Sequence, residues 1–256
     1  MATRVSDGDP SADRHRRAQR GLTRLLTRDV RSLRRIIIPS RLESTVPDWI
    51  AAVRALVDQY GAASSTLAAD YYEAERVAAR VTGRFTVPLV GPPPEKQVEN
   101  SLRWATKDLW PRDPEDPATT EAQLQPMDVR LVQAEKKAEA VAEKLVADQG
   151  RGTVQEAVRR DRQAVGWART AALGACAFCK MLVTRRAVYT QESARFQSHD
   201  GCHCGAVPVF KGQTFELSHH AREWERLYRE FAAPHSGDQL RRFRLALAEH
   251  GHLPGL

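Results

Sequence analysis

The sequence predicts a mainly α fold: a helical body with a small β-hairpin module near the C-terminus. Three observations lead there. Apolar residues recur at intervals of three and four through much of the 256-residue chain, the period that puts them on one face of a helix. Proline- and glycine-rich breaks separate these segments, as helix ends require. All four cysteines fall between residues 176 and 204, in a stretch with short apolar runs and no long helical pattern.

Residues 1–40 are basic, with Arg14, Arg16, Arg17, Arg20, Arg24 and Arg28 crowded together. Leu22, Leu25, Leu26, Val30, Leu33 and Ile36 recur at near-helical spacing, which predicts a basic amphipathic helix or arm from about Arg14. Met1 to Asp13 reads as a disordered tail. A helical N-terminal domain follows over 41–110. Its first helix opens at Ser44 or Thr45, with Pro47 in the first turn, and carries Trp49, Ile50, Val53, Val57 and Tyr60 on one face. Phe85 to Val90 has strand-like composition, and Pro88 restricts it to an edge or an extended loop. Glu95 to Trp110 returns to helix. Three prolines and three acids over 111–120 mark a linker.

Residues 121–210 begin with a long helix from about Met127 to Gln149. Gly150-Arg151-Gly152 breaks it, and Thr153-x-x-Glu156, a capping-box pattern, opens another helix to about Ala168. The cysteines follow, then a short strand from Ala206 to Phe210. Over 211–256, Ser218 caps a helix bearing Trp224, Leu227 and Phe231. A last helix carries Leu240, Phe243 and Leu247 and stops at Gly251.

The net charge is +7, and arginine far outnumbers lysine. That balance favours polyanions, DNA above all, through counterion release. A solvated, arginine-rich surface with no such partner explains it equally well. No apolar run approaches the roughly 18 residues of a membrane helix. The one apolar burst near the start, Ile36-Ile37-Ile38, is too short and too late for a secretory signal, so a reducing cytoplasm is expected.

The cysteines are spaced Cys176-x-x-Cys179, then a gap, then His199-x-x-Cys202-His203-Cys204. A Cys-x-x-Cys turn aims two thiolates at one point, and zinc takes four such ligands tetrahedrally. A hairpin from Met181–Thr184 to Ala187–Tyr189 would return the second pair to the first, giving a zinc-stabilised β-hairpin module. Cys176 and Cys179 are the firmest ligands; Cys202 and Cys204 complete the simplest set, and His199 or His203 can each replace one of those two. An iron–sulfur cluster satisfies the same ligand count. Disulfides require an oxidising compartment. A redox pair of thioredoxin type wants a strand before the motif and a helix after it, whereas the pattern here puts a helix first. Zinc deaminases need His-x-Glu upstream and a proline before the first cysteine; Ala175 occupies that place. The zinc is therefore read as structural, and no catalytic residue is assigned.

The run Cys176-Ala-Phe-Cys179-Lys-Met-Leu182, Ala187-Val-Tyr189, His199-Asp-Gly-Cys202-His-Cys204 and Val207-Pro208 resembles the C-terminal signature of phage Mu protein F-like (MuF-like) minor head proteins, in the version found in phages of actinobacteria. Thr153-Val through Asp161-Arg162 to Gly166-Trp167-Ala168-Arg169 resembles the family's approach to the cysteines, and weaker similarity reaches back to about residue 45. The resemblance implies a low-copy component of a phage head, acting in head morphogenesis and DNA delivery. It would be made in the host cytoplasm and carried in the virion. Portal and capsid proteins and non-specifically bound DNA are the implied partners, with no membrane, small-molecule substrate or enzymatic activity. Many members carry His-Pro-x-Cys-Arg-Cys; here Asp200 replaces the proline and His203 the arginine, which puts any role of that arginine in doubt. The rival readings are a zinc-containing DNA-binding protein and a head-maturation protease using Ser193 or Ser198 with His199.

Overall fold

The computed structural model describes residues 3–110, 112–187, 198, 201–202 and 204–253. The fold is mainly α, with two small two-stranded sheets among the described residues. The helices are α1 (Pro10–Ser32), α2 (Leu42–Ala78), α3 (Glu95–Thr106), α4 (Glu121–Leu124), α5 (Met127–Arg160), α6 (Ala177–Val183), α7 (His219–Phe231) and α8 (Gln239–Glu249). The strands are β1 (Thr3–Ser6), β2 (Ala164–Thr170), β3 (Gly205–Phe210) and β4 (Gln213–Glu216). β1 pairs parallel with β4, and β2 antiparallel with β3.

Helices α1, α2, α3 and α5 share one apolar core. Leu26 and Val30 of α1 meet Trp49, Val53 and Val57 of α2, Leu102 of α3, and Ala138 and Ala142 of α5. This core takes residues from both sides of the 111–120 segment expected to divide the chain. Polar contacts tie the same place: Arg130 of α5 donates to the carbonyl of Leu109 at 3.1 Å, and Lys137 pairs with Asp108 at 2.6 Å. A second cluster joins Tyr72, Val154, Trp167 and Phe210. A third joins the cysteines to Trp224 and Leu227 of α7 and Phe243 and Leu247 of α8.

Several expectations are corrected. The N-terminal tail is ordered from Thr3: β1 lies along β4, and Asp7 accepts hydrogen bonds from the Ser218 amide at 2.7 Å and hydroxyl at 2.8 Å. Helix α2 begins at Leu42, two or three residues before the expected Ser44 or Thr45, and is one 37-residue helix that includes Gly61.

The break at Gly150-Arg151-Gly152 is absent, and α5 runs unbroken for 34 residues. A Cβ on Gly150 would lie 2.4 Å from Ser64 Oγ and 3.1 Å from the Ser64 carbonyl oxygen, and one on Gly61 would lie 2.0 Å from Gln149 Oε1. These glycines let α2 and α5 approach. Thr153 opens no helix; its hydroxyl donates to Gln149 O at 3.1 Å and accepts from Val90 N at 3.2 Å.

The helix also ends earlier, at Arg160. Asp161 is buried against Arg76 at 2.7 Å and the Tyr72 hydroxyl at 3.2 Å, and 164–170 form β2. Trp167 faces Pro208 and Ala168 faces Val207 across the ladder. Long-range pairing with β3, together with burial of most of the strand, overrides a local preference for helix. The expected hairpin inside the cysteine segment is likewise replaced: Met181–Val183 belong to α6, and 188–189 lie outside the described residues.

The glycines of α5 should separate by environment. A Cβ on Gly152 meets only Val90, at 3.6 Å, so Gly152→Ala should raise stability by about 1 kcal/mol through helix propensity. Gly150→Ala gains the same propensity but forces α2 and α5 apart, and should cost about 1–3 kcal/mol net. Thermal melts of the two variants check this. Equal shifts would sink the packing argument.

Candidate metal centre

Strand β2 delivers the chain through a turn, closed by Ala175 N donating to Ala172 O at 2.9 Å, to Cys176. Cys176 is the N-cap of α6, and its Sγ accepts from Cys179 N at 3.4 Å. One turn in, Cys179 points inward and is 1 % exposed. The second pair returns by strand pairing: Gly205, the residue after Cys204, lies opposite Thr170 at the end of β2. A Cβ on Gly205 would stand 3.1 Å from Thr170 Cγ2, so the small residue keeps this approach close.

The sulfurs of Cys179, Cys202 and Cys204 all lie within 4.8 Å of one another, and Cys179 Sγ to Cys202 Sγ is 3.4 Å. A tetrahedral ion with bonds of about 2.3 Å sets its sulfurs about 3.8 Å apart, so the three fit one ion. None is in a disulfide. Cys176 is half-buried and stands beside Cys179, outside the tightest group. His199 and His203 lie outside the described residues.

The thiols share their protons unequally. Contact with the sulfurs of Cys176, Cys202 and Cys204 pushes the Cys179 thiol far up. Cys202 is held far below the ordinary thiol range, because Cys179 and Cys204 donate to it and the Arg151 guanidinium adds positive charge.

A strand does precede Cys176-x-x-Cys179 and a helix does follow, contrary to the expectation that had set aside a redox pair. What distinguishes the site is its further sulfurs. Cys202 and Cys204 converge on Cys179, and a dithiol couple needs only two. The walls are apolar, built from Val183, Ala221, Trp224 and Leu227, which suits a closed structural site better than one open to substrate.

Two residues that sequence reasoning passed over belong to this region. Arg151 donates from Nε to Cys204 O at 2.8 Å and from Nη2 to Cys202 O. Its sequence signal, an arginine between two glycines inside a helical pattern, is legible only once the helix is known to continue. His15 lines a cavity of about 30 Å³ together with Arg16, Arg20, Arg151, Cys202 and Cys204.

The basic helix divides into two faces. Arg14, Arg17, Arg24 and Arg28 are exposed, whereas Arg16 and Arg20 turn toward that cavity. Arg16 and Arg17 pair with Asp13, and Arg28 with Asp29. Arg14, Arg20 and Arg24 have no ion pair among the described residues.

Fold and site together define a helical protein in which a buried cysteine centre, able to hold a metal ion, joins a four-helix core to a C-terminal helix pair. The chain belongs to the VG15 protein family, a family of viral and phage gene products, whose model matches residues 7–231. No curated protein and no solved structure matches it.

His15 gives this region a pH dependence. Burial lowers its pKa from 6.5 to about 4, opposed by a hydrogen bond to the Leu67 backbone, and its ring stacks on Tyr71 at 4.4 Å. The unfolded chain takes the proton below 6.5 and the folded chain only near 4. Stability is thus complete above about pH 6.5 and falls as pH drops toward 4, by up to about 3 kcal/mol. Denaturant titrations at pH 7 and 4.5 should show His15→Phe losing less over this interval than the parent; equal losses would exclude His15 as the cause.

Proposed function

We propose that this protein is a minor head component of a tailed phage, acting in head morphogenesis and in packaging or delivery of DNA, with one structural zinc ion. The observation that carries the reading is membership of a viral and phage gene family across residues 7–231. The MuF-like resemblance of the cysteine segment narrows it to the head. Portal and capsid proteins are the proposed partners and the virion the proposed location. Among the described residues no helix is long and apolar enough to cross a membrane.

In this reading Cys179, Cys202 and Cys204 hold the ion, with Cys176 or His199 completing the shell. The zinc does no chemistry on a substrate. It replaces apolar core that the segment between β2 and β3 lacks, so metal binding and local folding are one event. The protein is not an enzyme. Ser198, a residue of the protease alternative, donates its hydroxyl to Asp148 at 2.7 Å; Ser193 and His199 lie outside the described residues.

DNA contact falls to the exposed side of α1. Arg14, Arg17, Arg24 and Arg28 follow one another at helical spacing, and Arg14 and Arg24 have no ion pair among the described residues. Since Leu26 and Val30 of the same helix are fully buried, the arginines are tested by substitution, not truncation.

Metal content, co-purification and the salt dependence of DNA binding test this function. Protein prepared reduced and without chelators should contain one equivalent of zinc and co-purify with portal protein; Cys179→Ser should lose the metal. A zinc site of this kind carries about 10 kcal/mol or more of apparent binding energy, so the α7–α8 core should loosen while the α1–α2–α3–α5 core keeps its melt. Metal-free parent protein would defeat the zinc reading, and absence of portal or capsid protein in the co-purification would favour a free DNA-binding protein. For DNA, Arg14→Glu with Arg24→Glu should flatten the log–log salt dependence of duplex binding by about 2, near 0.9 per phosphate contact. An unchanged slope would remove α1 from the DNA contact.

A further inference from the structure

The two halves of the cysteine centre come from different parts of the fold. Cys176 and Cys179 ride on α6, which has its own hydrogen bonds and an apolar face. Cys202 and Cys204 precede β3 in irregular chain; the β2–β3 ladder places Gly205 beside them but does not itself fix where their thiols point. Something outside the segment must do so.

Arg151 meets that requirement. Its side chain is 6 % exposed. Nε donates to Cys204 O at 2.8 Å, Nη2 donates to Cys202 O, and Nη1 donates to Asp148 Oδ1 at 2.7 Å. One edge of a planar fork therefore spans two carbonyls two residues apart, and a carboxylate one turn back on α5 holds another corner. The base of the side chain is equally fixed, because Gly150 seats α5 hard against Ser64 of α2. A guanidinium keeps this geometry through its rigid plane; an ammonium on a flexible stem cannot span both carbonyls in the same way.

The contact is to the carbonyls of both cysteines, which leaves both sulfurs available to a metal. It also buries a positive charge beside thiolates whose combined charge would exceed that of a divalent ion. Partners of this kind, which orient ligands without binding the metal, set affinity and geometry together.

We propose that Arg151 is a positioning residue for metal binding, a clamp from α5 that presets Cys202 and Cys204 to receive the ion. The proposal rests on the metal-centre reading given above. It makes the α2–α5 packing part of the metal site, since the helix that carries the clamp is located by the bundle.

The experiment uses the full chain, with Zn2+ affinity measured by competition against a chromophoric chelator and Co2+ as a spectroscopic probe. Arg151→Lys keeps the charge and loses the fork; Arg151→Met loses both. Both should bind Zn2+ about tenfold to a hundredfold more weakly than the parent. The Co2+ ligand-field bands of Arg151→Lys should shift in position, because the two thiolates are reoriented. A residue that only stabilised the fold would leave the bands of the bound fraction where they are. Arg151 lies outside the α1–α2–α3–α5 core, so the helical signal should persist in both variants. Should Arg151→Met be poorly folded, Arg151→Lys and Asp148→Ala, which removes the acceptor at the third corner of the fork, carry the test. Parent-like affinity and parent-like Co2+ bands in Arg151→Lys would overturn the clamp. Failure of the parent itself to bind either ion would instead overturn the metal centre on which it stands.

Discussion

The close approach of α2 and α5 is the constraint on which the other features depend. The 37- and 34-residue helices meet where Gly61 faces Gln149 and Gly150 faces Ser64. Glycine in a helix interior sacrifices about 1 kcal/mol of propensity relative to alanine. It is tolerated here because the backbone contact it permits buries small and apolar residues along both helices. Ser64 is fully buried and its hydroxyl donates to Gln19 Oε1 at 2.8 Å, which brings α1 into the same contact.

From that contact the position of the cysteine centre follows. The residue after Gly150 is Arg151, and the direction in which α5 presents it is set once the helix is seated. Its guanidinium reaches the carbonyls of Cys202 and Cys204, while β2, which begins four residues after α5 ends, brings Cys176 and Cys179 round from the other side. The β2–β3 ladder closes the loop between the two pairs. A small centre that would not hold itself together is thus framed by a helix on one side and a two-stranded ladder on the other. α7 and α8 complete it with Trp224, Leu227, Phe243 and Leu247.

The same framework reads the basic N-terminal helix differently from a free arm. Leu26 and Val30 are fully buried, and Arg31 reaches Glu139 of α5 at 2.6 Å. Much of the arginine charge is spent within the fold, on Asp13, Asp29 and Glu139. What remains for an external polyanion is a narrow exposed stripe, which a count of arginines overstates.

The sequence by itself determined the α-rich class, both ends of α3, the start of α7 and the stop of α8 to within a few residues, β3, and the grouping of the cysteines. Each of these rests on local information: apolar period, Ser218 as a cap, Gly251 with φ +69° as a stop, and ligand spacing. It misread Gly150-Arg151-Gly152 as a break and 164–168 as helix, because a glycine's role depends on what stands opposite it and a strand's on a partner some forty residues away. Ser64, Val207 and Pro208 supply those partners, and no local pattern announces them. Tertiary structure alone decided that Cys202 and Cys204 join Cys179 through strand pairing, and that an arginine distant in sequence holds them there. Convergence of that kind is a property of packed elements, each placed by contacts far apart in the chain.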